Sequence, residues 1–126
     1  MLGFAAYALR KGGAKATHLT AVVEMHDGET LALPGSPQII GLPGHSPGSV
    51  AVFVPFVDTV FVGDALTTRN VLTGVTGPQP APFTDDPAEA LRSLDALSAL
   101  EAHRIVPGHG PVWSGSIPDA VRLIRA

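Results

Sequence analysis

Apolar and polar positions alternate along the first half of the chain with the period of β-strands. Between residues 19 and 25, apolar side chains occupy every second position, and Asp27-Gly28 follows as a turn before residues 30–33. This pattern predicts a β-hairpin. Further short apolar runs predict strands at residues 38–42, 50–54, 59–62 and 104–106. We therefore expect a consecutive antiparallel sheet between residues 18 and 63.

Other segments carry apolar residues at helical spacing. The first covers residues 2–9 and ends before a pair of glycines, which commonly terminate helices. The second begins at Asp86, an N-cap residue three positions before Glu89, and is expected to end near residue 102. The third follows Ser116, whose hydroxyl can cap a C-terminal helix. The chain therefore combines a sheet with flanking helices.

The segment between the predicted sheet and the second helix has little periodicity. Residues 65–84 are rich in Gly, Pro and Thr, which predicts a long irregular loop of the kind that is usually functional or mobile. Arg69 and Asn70 are its polar candidates for substrate contact, although ordinary solvated loop residues would have the same pattern.

The composition describes one apolar globular domain over residues 1–126. Hydrophobic residues make up 45% of the chain and charged residues 15%, so the chain can bury a core and still expose apolar surface to a partner. A net charge of -3 argues against a nucleic acid or membrane-surface partner. No basic residue precedes the first apolar run, and no run approaches the roughly 20 residues of a membrane span. We therefore predict a cytoplasmic protein.

Histidine and carboxylate are the strong metal ligands available, because the chain has no cysteine. His45, Asp64 and His109 each follow a glycine, and each lies where a predicted strand ends. These ligand types suit zinc, and also iron or manganese, and a catalytic zinc commonly has three protein ligands and an open position. A metal there would generate hydroxide at neutral pH, which predicts hydrolysis. The remaining histidines lie in ordinary strand, turn and helix-end contexts: His18, His26 and His103.

A serine nucleophile is the rival chemistry in the same loop. Residues 44–48 match the G-x-S-x-G pattern, and Asp64 and His109 follow Ser46 in the order of α/β-hydrolases. That mechanism uses the backbone N–H of the residue after the serine as an oxyanion donor, and here the residue is Pro47, which has none. The pattern also requires a helix after the serine, where this sequence predicts a strand. We therefore disfavour a serine hydrolase.

Three motifs together resemble the metallo-β-lactamase superfamily of hydrolases. They are residues 43–49 (PGHSPGS), 61–65 (FVGDA) and 105–111 (IVPGHGP). The resemblance implies that His45 binds a first metal, that Asp64 bridges two metals, and that His109 binds the second. It also implies zinc as the cofactor, with two ions in a completed site, and a small-molecule substrate.

The opening signature of that family, H-x-H-x-D-H, does not occur in this sequence. The resemblance therefore covers the second half of a four-layer αββα sandwich, an α+β fold with a mostly antiparallel sheet and flanking helices. A lone half would leave one sheet face uncovered, which implies association. We expect either a homodimer or a complementary N-terminal half.

Two functions follow from this incomplete ligand set. The chain is either a partial metal-dependent hydrolase that is inactive alone and uses metal-activated hydroxide once an N-terminal half completes it, or a non-catalytic remnant or interaction module that keeps the fold without the binuclear site. Thioesters, lactones, β-lactams and phosphodiesters are all substrates within the family, and the sequence does not choose between them.

Overall fold

A mixed β-sheet forms the centre of the fold. The computed structural model describes residues 2–16 and 18–126 of the chain. Its strands are β1 (Gln38–Gly41), β2 (Val50–Val54), β3 (Thr59–Gly63), β4 (Thr67–Arg69), β5 (Thr76–Gln79), β6 (Arg104–Pro107) and β7 (Trp113–Ser114). Its helices are α1 (Leu2–Arg10), α2 (Pro87–Ser93), α3 (Asp95–Ser98) and α4 (Ile117–Arg125), with a 3₁₀ turn at Pro55–Val57. The central sheet has the order β1-β2-β3-β6-β7, and β4 pairs with β5 separately.

The strand directions bring three loops to one edge of the central sheet. β1, β2 and β3 form the predicted antiparallel meander, and β6 lies parallel to β3. Strands β1, β3 and β6 therefore run in the same direction and end at the same edge. The loops that follow them carry His45, Asp64 and His109. The prediction of an α+β fold with a mostly antiparallel sheet and flanking helices is confirmed.

One face of the sheet packs against α2, α3 and α4. Phe53, Val60 and Ile105 of the sheet belong to one buried cluster with Leu97 and Val121 of the helices. Val60 and Ile105 are directly opposite each other on β3 and β6, so the parallel pair that carries two of the candidate ligands is anchored in the core. Burial of such side chains contributes about 1.5–3 kcal/mol each.

The opposite face of the sheet is also apolar. Val52 lies opposite Phe61, and Phe61 lies opposite Val106, which puts all three on the face away from the helices. Val52 and Val106 are half-buried, and Phe61 is 44% exposed. An apolar and partly exposed sheet face is the kind of surface that packs against a second sheet.

The predicted hairpin over residues 19–33 is wrong. Residues 18–26 form no strand, and the pairing lies further along, where Gly28 donates to Ile39 O at 2.9 Å and Ile39 donates to Glu29 O at 2.8 Å. The predicted turn at residues 26–29 does form, because Glu29 N donates to His26 O at 3.1 Å, and the Asp27 side chain also accepts a hydrogen bond from Gly41 N at the end of β1. The alternating apolar side chains before it remain exposed: Leu19, Val23 and Met25. Alternation alone predicted a strand without the neighbour that a strand requires.

Two other elements differ from the prediction. Residues 65–84 are not an irregular loop throughout, because β4 and β5 form an antiparallel pair within them. The helix expected to end near residue 102 is divided into α2 and α3 at Leu94. Ser93 donates to Ala90 O at 3.0 Å, a side-chain hydrogen bond of the type that bends helices.

The predicted caps are correct. Asp86 accepts from Glu89 N at 2.9 Å at the start of α2, and Ser116 accepts from Asp119 N at 3.4 Å at the start of α4. α1 also forms, although its Tyr7 and Leu9 side chains are exposed rather than packed. Over the described ranges, no helix is long and apolar enough to cross a membrane.

Candidate metal centre

The loop that carries His45 is fixed on the N-terminus of α2. Gly44 has φ +129°, and a Cβ added there would stand 2.2 Å from the backbone nitrogen of Ala90. Its carbonyl accepts from Asp86 N at 2.9 Å. Only glycine allows this approach, because it has no Cβ and tolerates a positive φ. The position of His45 therefore depends on contact with the helix as well as on β1.

Asp64 brings the two candidate histidines together. Its Oδ2 lies 3.7 Å from His45 Nε2 and 3.5 Å from His109 Nε2. These separations are long for hydrogen bonds. Two atoms that bind one tetrahedral zinc at about 2.0–2.1 Å lie about 3.3 Å apart, so the spacing is compatible with metal ligands as well as with long ion pairs. The three predicted residues thus converge on one carboxylate oxygen.

The second carboxylate oxygen of Asp64 is buried without a hydrogen-bond partner among the described residues. Leaving a buried polar atom unpaired costs about 1–3 kcal/mol, and more for a charged group. A bound cation beside the carboxylate would offset this cost. The unpaired oxygen is therefore an observation, independent of the histidines, that fits a metal.

The His109 loop is held by β4. Thr67 Oγ1 donates to His109 O at 2.7 Å, Thr68 N donates to the same carbonyl at 3.1 Å, and both threonines are buried. A Cβ at Gly110 would stand 2.4 Å from Thr68 Oγ1. Sequence reasoning missed these threonines because they lie in a segment without periodicity. Their position directly after the Asp64 turn was the only available signal.

The His45 ring has a second contact on its other side. His45 Nδ1 lies 3.2 Å from Thr84 Oγ1, and Thr84 donates its hydroxyl hydrogen to Ala81 O at 2.8 Å. Sequence reasoning also missed Thr84, which precedes the cap of α2 by two residues. His45 is therefore contacted through both ring nitrogens, one by Thr84 and the other by Asp64.

The Ser46 hydroxyl is engaged within its own loop. It lies 2.9 Å from Ser49 Oγ, which also accepts from Ser46 N at 3.1 Å. The His45 ring that follows Gly44 instead faces Asp64 and Thr84. This geometry favours metal binding over a serine nucleophile.

The other polar candidates lie outside this cluster. Asn70 accepts from Leu72 N at 2.9 Å through its side chain and shapes the turn between β4 and β5. Arg69 is exposed on β4. His103 lies 3.0 Å from the carboxylate of Asp58 at the surface, and His18 and His26 are exposed.

The donor types at the centre fit a metal, but their number is incomplete. Over residues 2–16 and 18–126, no group of three or more His, Cys, Asp or Glu side chains is arranged to hold a metal ion by itself. His45, Asp64 and His109 contribute imidazole and carboxylate, which zinc and iron both accept. They converge on one carboxylate oxygen, but they do not form a metal site by themselves.

Sequence and structure comparisons give a consistent family. Residues 7–109 match the family model of the metallo-beta-lactamase superfamily, a range that includes all three candidate ligands. No curated protein sequence matches the chain. The chain is similar to TTHA1623, solved in a di-iron-bound form, with 35% identity over 76% of this chain and a TM-score of 0.53.

More distant structures share the fold. The chain is similar to TTHA1429, a metallo-beta-lactamase family protein from Thermus thermophilus, with 22% identity over 95% of this chain and a TM-score of 0.60. It is also similar to the metallo-beta-lactamase FIM-1 from Pseudomonas aeruginosa, solved in a mono-zinc form, with 18% identity over 94% of this chain and a TM-score of 0.59. The chain spans 44% of the length of TTHA1429 and of TTHA1623, and 50% of that of FIM-1.

Proposed function

This chain belongs to the metallo-beta-lactamase superfamily, and from that premise we propose that it is the second half of a metal-dependent hydrolase, active once its ligand set is completed. The observation that carries the proposal is the convergence of His45 Nε2 and His109 Nε2 on Asp64 Oδ2, at 3.7 and 3.5 Å. The loops that follow β1, β3 and β6 bring these three side chains together.

In this proposal the three side chains hold the metal and the fold holds the side chains. His45 Nε2 and His109 Nε2 would each offer one ligand nitrogen, and Asp64, which lies between them, would offer its carboxylate. The buried, unpaired Oδ1 of Asp64 supports a cation at this place. A bound metal supplies Lewis acidity and a nucleophile derived from water at neutral pH.

Zinc is the proposed metal, with iron as the alternative. FIM-1 was solved with zinc and TTHA1623 with two irons, and imidazole with carboxylate suits either. The proposed substrate is a small molecule that approaches the open edge of the sheet. Thioesters, lactones, β-lactams and phosphodiesters remain alternatives. A cytoplasmic location is part of the same proposal.

In this proposal the missing ligands lie outside residues 1–126, on a complementary N-terminal half. The sheet face of Val52, Phe61 and Val106 is apolar and partly exposed, and a second sheet packed on it would bury this surface. A complementary N-terminal half with the H-x-H-x-D-H signature would supply both the sheet and the ligands. A second copy of this chain would cover the face but supply only a further incomplete set.

A non-catalytic interaction module is the second candidate. The observation that favours it is the absence of a closed ligand set among the described residues. In that case the loops of His45 and His109 act only as structure, and the uncovered sheet face is the interaction surface. This candidate predicts partner binding that does not depend on metal.

The experiment compares metal binding by the chain alone and by the chain mixed with an N-terminal half that carries H-x-H-x-D-H. We expect weak zinc binding and no hydrolysis alone, and tight zinc binding with ester or thioester hydrolysis in the mixture. Asp64→Ala should abolish both the tight zinc binding and the hydrolysis in the mixture. Asp95 is an exposed carboxylate on α3, so Asp95→Ala should retain both. Metal-independent association without zinc binding would favour the interaction module.

A further inference from the structure

The hydroxyl of Thr84 has one hydrogen and two neighbours. It lies 2.8 Å from Ala81 O and 3.2 Å from His45 Nδ1. A carbonyl oxygen can only accept, so the shorter contact takes the hydroxyl hydrogen. Thr84 Oγ1 can then only accept a hydrogen bond from His45. The ring nitrogen Nδ1 must therefore be the donor in this pair.

This choice of donor determines the other ring nitrogen. A neutral imidazole has one N–H and one unprotonated nitrogen, so a hydrogen on Nδ1 leaves Nε2 with its lone pair. Nε2 faces Asp64 Oδ2 at 3.7 Å, which is also an acceptor. Two acceptors facing each other at this distance do not bond to each other, and a cation between them would bind both.

We propose that Thr84 is a positioning residue that fixes His45 in the Nδ1–H tautomer, so that the lone pair of Nε2 faces Asp64 and is available to a metal. Its link to metal binding rests on the proposed function, whereas the tautomer is a property of the metal-free chain. The chain of hydrogen bonds runs from His45 Nδ1 through Thr84 Oγ1 to Ala81 O. Ala81 is 6% exposed. Thr84 itself does not contact the metal or the substrate.

The contact also connects His45 to the segment before α2. Thr84 lies two residues before Asp86, whose backbone N–H binds Gly44 O at 2.9 Å, and Asp85 N lies 3.3 Å from His45 O. The backbone of the His45 loop and the His45 ring are therefore both bound by residues 84–86. A change in this segment alters the orientation and the tautomer of the ring together.

The direct test is long-range ¹H–¹⁵N NMR of the histidine rings in the metal-free chain, in alkaline buffer where imidazole is neutral. His45 signals are assigned by their loss in His45→Gln. We expect a protonated Nδ1 and an unprotonated Nε2 in the wild type. In Thr84→Val the nearest acceptor is the Asp64 carboxylate, so the proton should move to Nε2.

Two variants serve as matched controls. Thr84→Ser retains the hydroxyl and should restore the Nδ1–H tautomer, while Thr76→Val removes an exposed threonine of β5 and should leave His45 unchanged. An Nε2–H tautomer in the wild type, or an Nδ1–H tautomer retained in Thr84→Val, would overturn the proposal. If Thr84→Val does not fold, the tautomer of His45 in the wild type still tests the proposal.

Zinc affinity gives the second readout. In the mixture with the N-terminal half, Thr84→Val should weaken zinc binding by about 10- to 100-fold, the usual effect of removing a hydrogen-bond partner of a ligating histidine. Thr84→Ser should bind within about threefold of the wild type. Equal affinities in the wild type and in Thr84→Val would overturn the metal role. Failure of every variant to bind zinc would instead refute the proposed function, and the NMR result would stand separately.

Discussion

Gly108 lies directly against the carboxylate of Asp64, and a Cβ at Gly108 would stand 2.3 Å from Asp64 Oδ1. The glycine before the second histidine is therefore a spatial neighbour of the aspartate. Gly108 N also donates to Gly63 O at 2.7 Å, which binds the two loops together at the ends of β3 and β6. The histidine of one loop and the aspartate of the other are aligned by this contact.

Gly108→Ala should displace the Asp64 side chain and weaken metal binding. The added methyl group cannot share space with Oδ1, so the carboxylate must rotate away from the two imidazoles. We expect zinc affinity in the completed assembly to fall by about tenfold or more, comparable to other disruptions next to a ligand. Isothermal titration with zinc measures it.

Gly48→Ala is the control for this substitution. Gly48 lies in the His45 loop, and a Cβ there meets no atom within 4 Å. Its zinc affinity should equal that of the wild type. Wild-type affinity in Gly108→Ala as well would contradict the assignment of Asp64 as a ligand.

Gly44→Ala should destabilise the fold itself. A Cβ at Gly44 would overlap the backbone of Ala90 at 2.2–2.4 Å, and helix backbone cannot move aside as a flexible side chain can. Overpacking together with a strained positive φ should cost about 2–5 kcal/mol. Urea denaturation followed by circular dichroism measures the change. A loss under about 1 kcal/mol would show that the His45 loop is not held against α2.

Thr67→Val tests the buried hydrogen bonds behind His109. Thr67 is 0% exposed, and its hydroxyl lies 2.7 Å from His109 O and 2.8 Å from Arg69 O. Valine keeps the shape and removes the donor, so the free energy of unfolding should fall by about 1–3 kcal/mol. Thr76→Val on β5 should change it by under about 0.5 kcal/mol. Equal losses in the two variants would argue that the Thr67 hydroxyl does not hold the His109 loop.

The convergence of the three candidate residues could be predicted from sequence because local features mark each of them. A glycine and the end of an apolar run accompany His45, Asp64 and His109 alike, and both features depend only on nearby residues. The capped starts of α2 and α4 were predicted for the same reason. Local signals of this kind depend little on the tertiary contacts of the segment.

The rest depended on contacts between distant residues. Thr67 contacts the His109 carbonyl, 42 positions away in the chain, and Thr84 contacts the His45 ring, 39 positions away. The spacing of apolar residues does not predict such pairs. The hairpin over residues 19–33 failed for the opposite reason. Its alternation was strong, but within residues 2–16 and 18–126 no strand is paired with the apolar side chains of residues 19–25.

Phe61→Glu tests whether the second sheet face binds the partner. Phe61 lies on β3 with its side chain on the face away from the core and is 44% exposed, so glutamate there should cost the isolated chain little stability. On a face packed against a second sheet, the buried charge would be unpaired and costly. We expect association with the N-terminal half, measured by analytical ultracentrifugation, to weaken by at least about tenfold, or 1.4 kcal/mol. Phe56→Glu, on the 3₁₀ turn and 87% exposed, is the matched control and should associate as the wild type does. If both variants assemble normally, the partner binds elsewhere; if both fail, the loss reflects added charge rather than this face.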